Sequence, residues 1–289
     1  MAITAAQVKE LRERTGLGMM DCKKALVEAG GEMEGAIDLL RKKGMKTAAK
    51  RSERETKQGW MGLAKSDDGK VAALVDVACE TDFVAKSDDF KALLSMLANH
   101  ALANRPGSVS EMLEQTIEGK GTVASELQDA VGRIGEKLEV RNVASFDVDA
   151  SGTLASYVHF NGSVGVLVKG TVEGGPKDAD ALQAILDKVS KHIAASRPLV
   201  VRPDDIAEDV LAKEREIYLG SEEVQSKPEQ IRGNIVEGKI KKFCAERALL
   251  EQEFVFETKM KVSAALEAET KAVGGPIVIE GFACFKVGE

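Results

Sequence analysis

The sequence predicts an α+β protein: a small three-helix module, then two similar α+β units with antiparallel sheets, the second interrupted by a helical hairpin. Three observations carry this. Strand-like runs come in pairs joined by short polar turns, the mark of antiparallel hairpins. Each pair is followed by segments with apolar residues at helical spacing and then by a single closing strand. Between about 204 and 250 lies a long charged stretch with a thin apolar line. A chain of 289 residues has room for two domains and a small third module. The expected divisions are 1–55, a helical module with a basic linker; 56–145, a first α+β unit; and 146–289, a second one holding the hairpin at about 204–250.

The first helix starts at Thr4, with Gln7 completing a capping-box pattern, carries Val8 and Leu11 on its apolar stripe, and ends at Thr15-Gly16. A second helix carries Met19, Met20, Ala25 and Leu26 and stops at Gly30-Gly31. The third spans about Met33 to Lys43, with Ala36, Ile37 and Leu40 facing inward and Gly44 as its stop. Three helices in so short a segment lie below comfortable independent size, so the module should dock or bind something. Residues 41–57 then gather Arg41, Lys42, Lys43, Lys46, Lys50, Arg51, Arg54 and Lys57 against Glu53 and Glu55. This reads as a solvated linker helix or as a basic nucleic-acid strip. With no aromatic interleaved before Trp60, the linker is the simpler reading.

From about 58 the grammar changes. Residues 59–64 and 71–78 form strands around the turn Ser66-Asp67-Asp68-Gly69. Helical patterns follow at 87–104, 109–118 and 122–136, and 138–144 closes the sheet. The plan then repeats, with strands 153–159 and 164–170, a helix 178–195 and a last strand 277–285. In the stretch between, Ile206, Val210, Ile217 and Val224, then Ile231, Ile235, Ile240 and Phe243, recur helically on either side of Ser226-Lys227-Pro228. That is an antiparallel helical hairpin with a narrow apolar seam.

Composition narrows the function. No apolar run approaches the ~18–20 residues of a membrane span. The charged start has no basic and apolar leader pattern, so no secretory signal is expected. Net charge is −7, which disfavours a dedicated nucleic-acid binder. Cys22, Cys79, Cys244 and Cys284 are scattered, arguing against a disulfide or zinc scaffold and for a reducing cytoplasm. Each should serve as a small buried hydrophobe. His100, His159 and His192 lack metal-ligand spacing, and structural or surface roles are expected for His100 and His192. The pairs Asp67-Asp68, Asp88-Asp89 and Asp204-Asp205 sit at turns or helix starts, where carboxylates cap amides. There is no nucleophile elbow, phosphate loop or glycine fingerprint, so no enzyme, metal or cofactor is expected.

Two segments break the bland pattern. The first runs from Leu11 to Leu26 and holds Arg12, Met19, Met20 and Lys23. Adjacent methionines at a glycine-bounded helix start point about 100° apart, so they either pack inward or form an adaptable contact surface. The second is Cys79-Glu80-Thr81-Asp82-Phe83-Val84-Ala85-Lys86, directly after a strong strand. Either Phe83 protrudes as an interface anchor, or Asp82 caps the next helix and Phe83 tucks beneath it; spacing leaves both open.

Together these segments resemble the two signatures of the elongation factor Ts family, nucleotide-exchange factors of bacterial translation. Further matches are Gly132-Arg133-Ile134-Gly135-Glu136, Tyr157-Val158-His159, Val164-Gly165-Val166-Leu167-Val168, and Val236-Glu237-Gly238-Lys239 running to Phe243, in order along almost the whole chain. Asp76 and Ala78 depart from the usual Glu and Asn of the second signature. The resemblance implies a ubiquitin-associated-like N-domain and a cytoplasmic, bacterial binding protein whose partner is the GTPase elongation factor Tu. It implies that the Thr81-Asp82-Phe83-Val84 loop pushes Phe83 beside the nucleotide and disturbs the magnesium and phosphate sites. It implies that Arg12, Met19, Met20 and Lys23 grip the GTPase domain and that His159 approaches the partner's third domain, in a loop made different here by Phe160 and Asn161. The hairpin is implied to be a dimerisation module, giving a homodimer or a two-plus-two complex. Longer members continue past the Val-Gly-Glu ending with a partner-touching helix, a contact expected to be absent here. Two other classes stay open on the residues alone: an RNA-associated protein using 41–57, and an enzyme using Cys79 beside Asp82.

Overall fold

A computed structural model describes the backbone of residues 3–289 and the side chains of all but 45, 48 and 50 among them. Met1 and Ala2 of the charged start, and the Lys50 side chain of the basic strip, lie outside it. The N-terminal bundle consists of α1 (Ala5–Thr15), α2 (Met19–Glu28) and α3 (Met33–Arg51). The capping box forms: the Gln7 amide donates to Thr4 Oγ1 at 3.3 Å, and the Thr4 amide donates to Gln7 Oε1 at 3.0 Å. Val8, Leu11, Cys22, Ala25, Leu26, Ala36 and Leu40 close a small core.

Gly44 does not end the third helix. α3 continues for seven residues to Arg51, so six of the eight basic residues of the strip lie in it. The residues that follow Gly44 are mostly good helix formers, and one interior glycine costs only about 1 kcal/mol relative to alanine. Its missing side chain is used: a Cβ on Gly132 would lie 3.6 Å from Gly44 Cα, so α3 crosses the later helix that holds Gly132 at close range.

The first sheet contains β1 (Gln58–Lys65), β2 (Val71–Cys79) and, after four helices, β3 (Leu138–Asp147), in the order β1-β2-β3, all antiparallel. The helices are α4 (Asp82–Lys86), α5 (Asp88–Asn104), α6 (Val109–Glu114) and α7 (Val123–Ile134). α6 stops short of the expected 118 because the backbone turns extended at Gln115 and bridges Thr116 to Thr122. Ala73, Val75 and Val77 on one face of β2 pack with Phe90, Leu93, Leu97 and Val131, each large side chain contributing about 1.5–3 kcal/mol by burial.

The second sheet has the order β4-β5-β6, from β4 (Gly152–Val158), β5 (Val164–Val172) and the final β6 (Ile277–Lys286). Between β5 and β6 lie α8 (Ala179–Ser196), α9 (Glu208–Gly220), α10 (Glu222–Gln225), α11 (Glu229–Arg247), α12 (Val262–Ala268) and α13 (Thr270–Val273). Alternation along β2 sends Ala72 and Leu74 to its other face, where they meet Met61, Leu154, Leu167 and Ala283. The two sheets are thus joined by a shared apolar layer.

The hairpin is made of α9, α10 and α11, broken at Ser221 and again at 226–228. Within α9 and α11 the buried line runs through neighbouring positions, so two residues expected in the seam face away from it. Ile217 and Ile231 face solvent, while Tyr218 and Leu211 pack beside Val224, Val236 and Ile240.

Candidate partner-binding site

The exit from β2 builds the site. Thr81, not Asp82, caps α4, its hydroxyl accepting the Val84 amide at 3.3 Å. Asp82 therefore occupies the first helical position, where its carboxylate faces the positive end of the turn. A 2.7 Å hydrogen bond from Lys86 Nζ holds the Asp82 carboxyl below the usual carboxylate range. Phe83 follows on the outer face and is 82% exposed. The inward positions of this turn are taken by Val84 and Ala85, which join the first-unit core. Between the two arrangements open from spacing, the protruding one is present.

The turn is held from behind. Glu136, one residue past the Gly135 cap of α7, accepts the Glu80 and Thr81 amides at 3.1 and 3.0 Å and the Thr81 hydroxyl at 2.6 Å. Glu80 answers across the same gap: its carboxylate accepts the Lys137 amide at 2.6 Å and the Arg54 guanidinium at 3.0 Å. Partial burial pushes the Glu80 carboxyl up, but the Lys137 amide and Arg54 outweigh it, leaving its pKa below the ordinary value. Sequence reading gave Glu80, Glu136 and Arg54 no role in this site, although Glu80 lies within the Cys79–Lys86 segment and Glu136 ends the Gly132–Glu136 match.

Cys79, at the end of β2, is fully buried, and desolvation reinforced by the Glu136 charge pushes its thiol up to about 12. Such a thiol stays protonated and is a poor nucleophile. His100 and His192 both lie in the cores, paired with Gln115 and Gln252. Cys244 and Cys284 are half-buried rather than buried.

On the bundle, Met19 and Met20 are 58% and 63% exposed, and Arg12 and Lys23 are exposed as well. Lys23 lies four and three residues after the methionines, so these three share one side of α2. The methionines lie on the surface rather than in the core. A cleft of about 450 Å³ lies beside the contact between the bundle and α7. Its Arg41 and Lys43 are taken by Asp129 and Asp21, so it shows no single sign of charge.

His159 sits at the β4–β5 turn, with Nδ1 2.7 Å from the Tyr157 hydroxyl and its ring 4.5 Å from that of Phe160. Phe160 is 85% exposed, a second outward aromatic. Gly162 fixes this turn: its φ is +70°, and a Cβ there would fall 2.0 Å from the Trp60 ring. Trp60 pairs with Val77 and Gln58 with Cys79, so the turns bearing Phe83 and Phe160 emerge at the same end of the β1–β2 ladder. The structure thus brings the Thr81–Val84 turn and His159 to one end of the sheet core. Arg12, Met19, Met20 and Lys23 stand on the bundle, which reaches the core through α3 on α7 and through Gly16 against Arg133. Among the described residues no cluster of His, Cys, Asp and Glu could hold a metal ion, and no helix is long and apolar enough to cross a membrane.

Comparison with known proteins finds relatives along the whole chain. A family model described as "Elongation factor TS" matches residues 80–289. A protein named Elongation factor Ts from Trichlorobacter lovleyi is 39% identical over 292 residues, covering 100% of this chain and 94% of its own length. Proteins of the same name from Nitratiruptor sp. and Rhizobium meliloti are 41% and 42% identical, each again over 100% of this chain and 94% of theirs.

Proposed function

The chain belongs to the elongation factor Ts family, and from that premise we propose that it is the guanine-nucleotide exchange factor of a translational GTPase, elongation factor Tu. The observation that carries the mechanism is Phe83, a large aromatic held almost fully in solvent on a turn pinned by hydrogen bonds. A soluble fold keeps such a side chain outside at a cost, and interfaces draw much of their free energy from anchors of this kind.

On this reading the bundle of residues 1–55 grips the GTPase domain through Arg12, Met19, Met20 and Lys23. The first unit, 56–145, presents Thr81, Asp82, Phe83 and Val84 to the nucleotide side, and the second, 146–289, reaches the third domain through His159. Insertion of Phe83 displaces elements around the magnesium ion, and losing that cation removes the phosphates' main charge compensation. Factor and nucleotide then weaken each other's binding by the same factor, as linkage requires. No proton transfer or covalent step is involved, in keeping with a Cys79 thiol raised to about 12. The hairpin carries self-association, with Ile217, Leu219 and Ile231 exposed on it. Its place of action is the bacterial cytoplasm. The nucleic-acid reading of 41–57 loses ground because Arg41, Lys43, Arg54 and Lys57 are each committed to a carboxylate within the chain.

The test is release of labelled GDP from purified elongation factor Tu, with and without the chain. Stimulation that saturates with factor concentration is expected; an unchanged release rate overturns the reading.

A further inference from the structure

We infer that Glu136 is a positioning residue for nucleotide exchange, its carboxylate setting the direction in which Phe83 leaves the sheet; this rests on the role proposed above for that loop. The two amides it accepts, of Glu80 and Thr81, are those of the last residues before Asp82-Phe83. Its other oxygen accepts a hydrogen bond from the Thr81 hydroxyl, and the same hydroxyl oxygen accepts the Val84 amide. One side chain thus ties the end of α7 to the helical turn bearing Phe83. The tie is reciprocal, since Glu80 accepts the Lys137 amide and the Arg54 guanidinium. Residues 80–81 and 136–137 are cross-bonded in both directions.

Nothing in the core requires a carboxylate here. Glu136 is half-buried, and the amides it holds sit at a strand exit that water could otherwise serve. What the clamp adds is order. A free turn carrying an exposed Phe would lose backbone freedom on entering a partner, and that loss would fall on the exchange step. A turn fixed beforehand has already lost it. Glu136 should therefore act on the maximal rate rather than on docking.

The experiment measures labelled GDP release from elongation factor Tu across factor concentrations for wild type, Glu136→Ala, Glu136→Gln, Phe83→Ala and the double variant Phe83→Ala/Glu136→Ala. Glu136→Ala should lower the maximal rate about fivefold or more while moving the half-saturating concentration less than about twofold. Glu136→Gln, which keeps an acceptor oxygen, should fall between. In the Phe83→Ala background Glu136→Ala should add nothing, because the residue it positions is gone. Hydrogen exchange on the free proteins should show the Glu80 and Thr81 amides opening about tenfold faster in either Glu136 variant. That readout, and the Gln variant, stand if the alanine protein folds poorly. Wild-type rates in both single Glu136 variants, or a full fivefold loss on top of Phe83→Ala, overturn the positioning role. A wild-type protein that releases no GDP overturns the exchange reading instead.

Discussion

The two α+β units are built to one plan and put to different uses. Each has a middle strand of nine residues whose register slips after the sixth, between Asp76 and Val77 in one and between Lys169 and Gly170 in the other. Each packs a long helix on its sheet, and α5 and α8 both end in an arginine with left-handed backbone, Arg105 and Arg197. Five residues before each arginine stands a buried histidine bonded to a glutamine: His100 to Gln115 at 2.9 Å, His192 to Gln252 at 3.0 Å. The units part company at the connection from middle strand to helix. In the first it is the clamped turn that holds Phe83 outward. In the second, residues 173–178 make a turn through Gly174 and Gly175 with no large apolar residue in it. The repeated frame supplies stiffness, and the specific work is confined to what is inserted between its elements.

The strongest way to break this contrast is at that connection. Phe83→Ala should reduce stimulated GDP release at least about tenfold while leaving the thermal midpoint unchanged, because an exposed ring contributes little to folding. Glu173→Ala, on the exposed counterpart, should leave both unchanged. Equal effects at the two sites would mean the first turn is not specialised.

A smaller effect separates the two histidines. His192→Ala strips partners from Gln252 and from the Val255 amide, at a cost of about 1–3 kcal/mol. Burial also holds the His192 pKa below its usual 6.5, so protonation opposes folding. Its contribution should be constant above about pH 6.5 and be lost as the pH falls below that value, through the lowered folded pKa. Denaturant titrations between pH 8 and 5 should show this decline in wild type and a flatter profile in His192→Ala.

The sixth position of the middle strands sharpens the comparison further. Lys169 is half-buried and bonded to Glu280 at 3.3 Å, whereas Asp76 is fully buried, with Asn142 on one oxygen and no partner on the other among the described residues. Burial raises the Asp76 pKa, so the folded state prefers the neutral acid. Its stability contribution is complete below 3.8 and declines as pH rises through the raised folded pKa. Asp76→Asn should therefore raise the melting temperature at pH 7 by a few degrees, about 1 kcal/mol, with the gap closing toward pH 4. No gap at pH 7 would show that the acid is already matched to its surroundings.

The smallest effect is expected from the second unit's own insert. Replacing Glu208–Lys242 with a Gly-Ser linker, which leaves buried Phe243 and Ala248 at the base, should change exchange less than about twofold. Light scattering should show any self-association gone. A tenfold loss of exchange would make the hairpin part of the working surface.

Much of this was legible in the residues, for reasons local to them. Nearly continuous apolar runs at 71–78 and 164–170, bounded by turn residues, marked the middle strands, and the Thr4–Gln7 spacing marked a real capping box. Gly44 misled because its cause lies some ninety residues away, in Gly132, and a glycine kept for close approach looks in one dimension like a stop. Phe83 was visible as an anomaly, but whether it pointed out depended on Thr81 rather than Asp82 taking the cap. Glu136 stood inside a quoted match, but its role was beyond reach. Nothing local announces that a carboxylate after α7 will satisfy amides more than fifty positions earlier.

The crossing of Gly44 on Gly132 makes α3 a measuring rod. Its nineteen residues span about 28 Å without a joint, lodged at one end in the bundle that carries Met19 and Met20 and laid along α7 toward the other. The interval between the two exposed contact surfaces is therefore counted in helical residues. One residue added to the rod would advance the bundle by about 1.5 Å and swing it by about 100°, turning the methionines to another side. Past Arg51 there is little slack either, since Arg54 is tied to Glu80 and buried Thr56 is held by Glu139 and Arg141.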